Sequence, residues 1–217
     1  MKYKTTGIVL KSIRYRDNDR IVQIFTREFG KVSYLVHAPA SKRAVCRTPY
    51  LQALTLLSLE VDHRDKRDLQ HIVEATPLKF HPDLLADTTK SAIAFFIAET
   101  VCSALYANEQ DVNLFDYLEE TAVRLNDATN GISLFPQQFL VEFAGLMGFY
   151  PSDSTENEFL QLLQPYDQTL FRAICQEEAL SAVQRAEALQ LLMRYFRFHL
   201  PSMHQLQSME LLLEVLG

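Results

Sequence analysis

Cysteine is scarce in this sequence, and the three that occur, Cys46, Cys102 and Cys175, lie far apart. An odd number of widely separated thiols predicts no disulfide framework, and no pair has the short spacing of a zinc site. We therefore expect a protein without metal or other cofactor, whose thiols stay reduced in the cytosol.

Glycine and proline are also few, at 6 and 8 of 217 residues. This composition argues against disordered and fibrous classes, and 48% hydrophobic with 22% charged residues is typical of a globular chain with one or two cores. Residues 1–30 lack the apolar segment of a secretory signal. The most apolar stretch, residues 92–107, is short for a membrane span and contains Glu99. We expect a cytoplasmic protein.

Motifs that carry catalysis are missing as well. The sequence contains no glycine-rich phosphate loop, no Gly-x-Ser-x-Gly motif and no His-Glu-x-x-His motif. Asp17 and Asp19 are spaced like a metal-binding pair, but such carboxylates more often bond the backbone of a turn. Cys175 has no activating neighbour in the sequence. The sequence therefore predicts a protein that is not an enzyme.

The charge is distributed unevenly along the chain. Residues 1–80 carry 15 Lys and Arg against 8 Asp and Glu, a net charge of +7. Residues 81–217 carry 6 against 19, a net charge of −13. This asymmetry predicts a polyanionic partner for the first part alone. A solvated surface is the alternative, and it is weaker for residues 1–50, where eleven cations accompany three acidic residues.

The first 80 residues have the pattern of β-strands. β-Branched and aromatic residues separated by turn signals predict five strands, at 6–15, 20–26, 31–38, 54–63 and 69–76. The first two hairpins turn at residues 17–19 and 28–30, where Gly30 can take a positive φ. Five short strands are enough to close a small barrel, and closure removes the exposed sheet edges.

The period changes to that of helices from His81 onward. The pattern predicts helices at 84–107, 111–126, 136–147, 156–163, 169–176, 181–200 and 206–216. Pro82 suits a helix start, and Gly148 suits a helix end. We expect an α+β chain of two domains, a five-stranded barrel in residues 1–80 and an all-helical domain in residues 81–217.

Basic residues with interleaved aromatics cluster around the predicted turns of the barrel. A single nucleic-acid strand requires cations along its phosphates and flat side chains on which its bases stack. The candidate nucleic-acid-binding residues are Lys11, Arg14, Arg16, Arg20, Arg27, Lys31, Tyr34, Lys42, Arg43 and Arg47. Core packing is the alternative role for the aromatics, and solubility is the alternative role for the cations.

Several segments of the chain resemble the RecO family of bacterial recombination mediators. The matching segments are Thr6–Lys11, Tyr15–Val22, Ile24–Thr26 and Gly30–Val32 near the start, 51–52 and 57–60 in the fourth strand, and 191–192, 195, 199–200, 206–208 and 211–212 in the tail. The resemblance covers the whole length and is weakest in the middle helices. The opening run is the most specific part, because it fixes several residue types at set spacing over about thirty positions.

The resemblance implies an N-terminal OB-fold barrel and a helical C-terminal domain. It also implies a role in DNA repair and homologous recombination in the bacterial cytoplasm, in association with the nucleoid. Family members bind single-stranded DNA, anneal complementary strands and, with RecR, help load RecA onto DNA coated by single-strand-binding protein. An RNA-binding OB-fold protein and an adaptor whose barrel binds only protein remain as alternatives.

The sequence departs from the family pattern in two places. Many members carry a four-cysteine zinc module after a segment like Gly148–Pro151, but here Ser152–Ser154 follow without cysteine. We therefore predict no zinc and a helical domain stabilised by packing alone. The second departure is Ala38-Pro39, where the family often has a glycine with basic neighbours.

The family also binds the acidic C-terminal tail of single-strand-binding protein. An acidic peptide that ends in an apolar residue requires an apolar groove with a cation at its rim. Few cations occur in the predicted helices, and Arg124, Arg194 and Arg197 are the candidates for this peptide site. Ordinary exposure on a helix surface is the alternative for each of them.

Overall fold

The architecture was obtained as a computed structural model. It describes residues 2–37, 46, 48–64, 67–79, 81–201, 203 and 206–216. The chain divides into two compact units, Met1–Ala128 and Thr129–Gly217. Strands give way to helices between Pro77 and Pro82, inside the first of these units. The division into separate domains at residues 80 and 81 stays a prediction.

Five strands close a barrel in the first compact unit. They are β1 (Lys2–Arg14), β2 (Asp19–Thr26), β3 (Gly30–His37), β4 (Leu56–Asp62) and β5 (Leu69–Pro77). Their order around the barrel is β1-β2-β3-β5-β4, and only the β3–β5 pair is parallel. The predicted five-stranded OB-fold barrel is therefore confirmed.

Alternate residues of the strands fill the barrel interior. Along β3, Val32, Tyr34 and Val36 are buried, whereas the residues between them are only partly buried. Val22 and Ile24 of β2 complete this part of the core, and neither side chain is exposed at all. Each fully buried aliphatic side chain contributes about 1.5–3 kcal/mol to folding. The two-residue period thus determines which side chains can meet a ligand outside the barrel.

Three helices belong to the first unit with the barrel: α1 (Pro82–Ala86), α2 (Thr88–Ala104) and α3 (Val112–Asp127). Helices α2 and α3 contact β1, and α1 packs against α2 and α3. The single helix predicted at 84–107 is wrong, because the chain breaks at Asp87 and leaves the helix after Ala104. The Asp87 carboxylate accepts a hydrogen bond from the backbone N–H of Lys90 at 2.9 Å and so caps α2. Asp87 is followed by the polar stretch Thr88–Ser91, and this interruption of the apolar pattern marks the start of α2.

A buried lysine ties these three helices together. Lys90 is 6% exposed, and its Nζ lies 3.0 Å from Asp83 Oδ2 of α1. The same ammonium donates to the backbone carbonyl of Asn126 at 2.5 Å, near the C-terminus of α3. A cation with both of these partners is compensated for its lost hydration, and it also meets the negative end of a helix dipole.

The second compact unit is helical, as predicted. It contains α4 (Phe135–Leu146), α5 (Glu158–Leu162), α6 (Pro165–Cys175), α7 (Ala182–His199) and α8 (Ser208–Leu216). Helix α7 begins with a capping box, in which the side chains of Ser181 and Gln184 each bond the other's backbone N–H. Helices α4 and α6 pack against α7.

Aromatic rings fill the part of this unit where the resemblance would place a zinc module. Tyr195 of α7 stands at the centre, with ring centroids 5.9 Å from Phe149, 5.1 Å from Phe159 and 5.3 Å from Phe171. Its hydroxyl donates to the carbonyl of Phe149 at 2.8 Å. Within the residues that the structure describes, no group of three or more His, Cys, Asp or Glu could hold a metal ion. Tyr195 thus packs α7 against the segments that carry Phe149, Phe159 and Phe171.

Neither Cys46 nor Cys175 is suited to nucleophilic chemistry. Burial raises the pKa of each thiol to about 11. Both thiols are therefore protonated near neutral pH, whereas the thiolate is the reactive form.

Across the described ranges, no helix combines the length and the apolar character needed to cross a membrane.

Candidate nucleic-acid interface

Cations gather at the barrel end that carries the β1–β2 turn. Arg14 and Arg20 are cross-strand partners on β1 and β2. Arg20 Nε donates to Ser12 Oγ at 2.8 Å, which fixes its guanidinium against the rim. Arg14 and Arg16 are exposed, and the Arg16 guanidinium lies 5.2 Å from the ring centroid of Tyr15. Two charged groups thus project into solvent beside an exposed aromatic ring.

An apolar row crosses the outside of the barrel next to these cations. Ile13, Ile21 and Leu35 are successive cross-strand partners on β1, β2 and β3. They alternate with the inward-facing Val22 and its neighbours, so they lie on the outer surface. Ile13 is 48% exposed, and the other two are half-buried. We name these three residues the outer apolar row.

A β-bulge brings Lys11 to the same outer surface. The register of β1 with β2 shifts between Val9 and Lys11, which leaves Leu10 as the extra residue. Lys11 then pairs with Gln23. These two residues lie two positions along their strands from Ile13 and Ile21, and therefore on the same face of the sheet. Lys11 is exposed. The bulge therefore places an exposed ammonium and apolar side chains on one surface.

Two of the predicted cations contact helices. Arg27 forms an ion pair with Asp116 of α3, with Nη1 2.5 Å from Oδ1, and its guanidinium lies 5.3 Å from the Phe115 ring centroid. The hydrogen bond to Asp116 is the main reason that the pKa of Arg27 is raised. Lys31 Nζ donates to the carbonyl of Cys102 at 2.7 Å and to that of Leu105, at the end of α2.

Lys31 is therefore a helix cap in this structure. Its half-buried position lowers the pKa of the ammonium through desolvation. The carbonyls at the end of α2 lack partners within the helix, and a lysine is well suited to satisfy them. A phosphate could reach Lys31 only by displacing these contacts, whereas Arg27 is partly exposed and already neutralised by Asp116. The part of both residues in nucleic-acid binding stays a prediction.

Tyr34 lies inside the barrel rather than on its surface. The side chain is 0% exposed and packs in the core cluster with Val22 and Ile24. Burial raises the pKa of its hydroxyl. A base cannot stack on a ring whose two faces are covered, so Tyr34 is left out of the proposed contact set and is assigned to the core.

Three of the predicted cations, Lys42, Arg43 and Arg47, lie outside the described residues. Their part in nucleic-acid binding stays a prediction.

Sequence reasoning missed an exposed aromatic residue beside β3. Tyr106 is 70% exposed and directly follows the end of α2. Its neighbour Ala107 forms a bridge with Lys31 of β3, and Asn108 N donates to the Lys31 carbonyl at 2.9 Å. Tyr106 N donates to Glu109 Oε2 at 2.8 Å. Asn108 adopts the left-handed conformation at φ +60°, which asparagine tolerates. It was therefore the signal in the sequence that the helix ends before residue 107.

The three arginines predicted for a peptide site fall in both compact units. Arg194 and Arg197 are exposed, three positions apart on α7. Arg194 Nη1 lies 2.7 Å from Asp167 Oδ2 of α6, and Arg197 Nε donates to the Met193 carbonyl at 3.2 Å. Arg124 lies on α3, in the first unit. The structure thus groups Arg194 with Arg197 on one helix face.

Comparison with known proteins agrees with this architecture. A family model described as "Recombination protein O N terminal" matches residues 1–81, which are the barrel. A second, described as "Recombination protein O C terminal", matches residues 85–157.

Three curated relatives named "DNA repair protein RecO" are similar over the full length. Those from Phocaeicola vulgatus, Bacteroides fragilis and Flavobacterium psychrophilum are 30%, 29% and 31% identical, with 99% of both chains covered in each comparison. Together with the barrel and the helices that follow it, these matches show that the chain belongs to the RecO family.

Proposed function

We propose that this protein binds single-stranded DNA during DNA repair and homologous recombination. The observation that carries the proposal is the barrel end with the β1–β2 turn. There the exposed Lys11 shares the outer surface with the outer apolar row, and the exposed Arg14 and Arg16 lie at the adjoining rim. Phosphates need exposed cations, and unpaired bases need apolar surface, so this surface offers both. Tyr106 offers a further exposed ring at the other end of β3, on which a base of the same strand can stack.

Binding of this kind reads little sequence. Contacts from lysine and arginine go to phosphates, which are the same at every nucleotide. The surface should therefore hold any strand, and its affinity should depend on the release of counterions from the DNA.

Strand annealing follows from the same electrostatics. Neutralised phosphates reduce the repulsion between two strands, and backbone contacts leave the base-pairing edges free. We propose that the protein anneals complementary strands in this way. We further propose that it acts with RecR to load RecA on DNA coated by single-strand-binding protein.

The affinity for an oligothymidylate is expected to fall steeply with salt. Lys11→Ala and Arg14→Ala should each reduce the slope of log affinity against log salt concentration by about 0.7, because each removes one phosphate contact. Fluorescence anisotropy over a series of salt concentrations measures the slope. Annealing of strands coated by single-strand-binding protein should slow in the same variants.

Glu74→Gln and Arg172→Ala are the controls for these variants, since both residues are exposed and neither belongs to the proposed contact set. An affinity that does not change with salt would contradict the proposal. So would equal slopes for the wild type and both surface variants.

We also propose that α7 contributes to binding the acidic tail of single-strand-binding protein. Arg194 and Arg197 present two cations on one face, and Phe198 beside them is 39% exposed. A labelled peptide with the tail sequence should bind the wild type and lose about tenfold or more in affinity when Arg194, Arg197 and Arg124 are all alanine. Undiminished binding to the triple variant removes these residues from the site.

A further inference from the structure

We infer that a cavity at the opposite end of the barrel binds a single nucleotide. The cavity has a volume of about 270 Å³ and opens between the β2–β3 turn, the β4–β5 connection and the segment between α2 and α3. Its lining includes Phe29 and His63 together with the polar side chains of Glu28, Arg67, Gln70, Asn108 and Gln110. The inference rests on the proposed function, because it assigns one nucleotide of the bound strand a site of its own.

The walls of the cavity are held in place by the protein's own hydrogen bonds. Gln70 is 2% exposed, and its Nε2 donates to the carbonyls of Arg64 at 2.7 Å and Arg67 at 2.6 Å. Its Oε1 accepts the backbone N–H of Arg64 at 2.9 Å. On the other side, the hydrogen bond from Asn108 to β3 fixes the segment after α2. A preformed site costs little ordering when a ligand binds.

One wall of the cavity is aromatic. The rings of Phe29 and His63 are stacked, with centroids 4.2 Å apart and planes at 13°. Tyr3 meets Phe29 edge-on, with centroids 5.4 Å apart. A flat, supported wall of this kind is suited to a nucleobase, which presents a π-face of any sequence.

The polar groups match the two ends of a nucleotide. Glu28 is exposed, and its Oε2 accepts the hydroxyl of Thr5, which directs the carboxylate. An ionised carboxylate can only accept hydrogen bonds, so it favours a base with an exocyclic amino group, such as cytosine, over thymine. Arg67 is exposed and offers a fork of donors to a phosphate. A simple anion would suit Arg67 but would be repelled by Glu28.

Nuclear magnetic resonance of the full chain tests the cavity directly. Deoxycytidine 5′-monophosphate should shift the side-chain amide signals of Gln70, Asn108 and Gln110 saturably, and thymidine 5′-monophosphate should bind more weakly. Glu28→Gln is expected to weaken the cytidine nucleotide about tenfold and to leave the thymidine nucleotide unchanged. Arg67→Ala should weaken both about tenfold.

Controls keep this test independent of folding. The Gln70 amide signals should stay in place in the unliganded Glu28→Gln and Arg67→Ala proteins, since the hydrogen bonds of Gln70 to Arg64 and Arg67 go to backbone groups. Glu74→Gln should bind both nucleotides like the wild type. The inference is overturned if neither nucleotide moves these signals, or if inorganic phosphate alone moves them equally.

Two oligonucleotides separate a strand nucleotide from a free one. An oligothymidylate with one central cytidine should bind a few-fold more tightly than the uniform strand of the same length, and Glu28→Gln should abolish the difference. If the free nucleotides bind but the strand with the cytidine binds no more tightly than the uniform strand, the cavity is a site for free nucleotides. That result overturns the inference that it holds a nucleotide of the bound strand. If the protein binds DNA in a salt-sensitive manner but neither nucleotide binds in the cavity, this inference alone is overturned. If the nucleotides bind in the cavity but the protein does not bind DNA, the proposed function is overturned instead.

Discussion

Replacing Gly30 with alanine is expected to lower the free energy of unfolding by about 3 kcal/mol or more. Gly30 has φ +65°, a conformation that costs an L-residue about 1–2 kcal/mol. In addition, a Cβ at this position would lie 2.1 Å from the Glu109 carbonyl oxygen and 2.9 Å from the Asn108 carbonyl carbon. Backbone atoms cannot rotate away, so the segment after α2 must move. Its hydrogen bond to Lys31 would then be strained or lost.

Gly131→Ala is the matched control. Gly131 has a similar φ of +70°, but no neighbouring atom lies within 4 Å of the position that an alanine methyl would occupy. This change should therefore cost only the conformational part, about 1 kcal/mol. Urea denaturation of both variants measures the difference. Equal losses would show that the segment after α2 does not press on Gly30.

Phe171→Ala is expected to destabilise the second compact unit by about 3–5 kcal/mol. The ring is 0% exposed, and its centroid lies 5.5 Å from that of Phe159 and 5.3 Å from that of Tyr195. Removing it leaves a cavity among rings that cannot collapse freely. Thermal denaturation should show the loss as a lower Tm for the transition of this unit.

Two further measurements isolate the contribution of the ring cluster. Phe198→Ala removes a ring of the same cluster, but Phe198 is 39% exposed, so the loss should be about 1 kcal/mol. A chelator should leave the Tm of the wild type unchanged, because packing holds this part of the chain. A marked drop in Tm with EDTA would show a structural metal and contradict stabilisation by packing alone.

The strands of the barrel could be predicted closely, because each is rich in β-branched, aromatic or other apolar residues and lies between turn signals. The start of β1 could not. Residues 2–5 are largely polar, but β1 extends to Lys2 through its pairing with β4, where Lys2 opposes Asp62. This end of β1 forms because of a partner that is far away in the sequence, so the residues around Lys2 carry no local pattern that predicts a strand.

The surroundings of the predicted cations could be anticipated only in part, for a similar reason. Lys11, Arg14 and Arg16 are exposed, as a surface role requires. Arg27 and Lys31 have the same local character, but their partners lie 89 and 71 positions away, on helices. Tyr34 could have been assigned correctly, because it alternates in phase with Val32 and Val36. Periodicity distinguishes the inside from the outside of a barrel, and it does not reveal what covers the outside.

The bulge at Leu10 affects where the length of this chain can vary. Leu10 is the extra residue between Val9, which pairs with Ile24, and Lys11, which pairs with Gln23. Loss of Leu10 alone would therefore restore regular pairing and leave Lys11 and Ile13 on the outer surface. Loss of a paired residue such as Ser12 would instead turn Ile13 toward the barrel interior. Deletions of paired residues in the first strand should therefore be excluded by selection, whereas insertions between residues 15 and 18 would leave both surfaces intact.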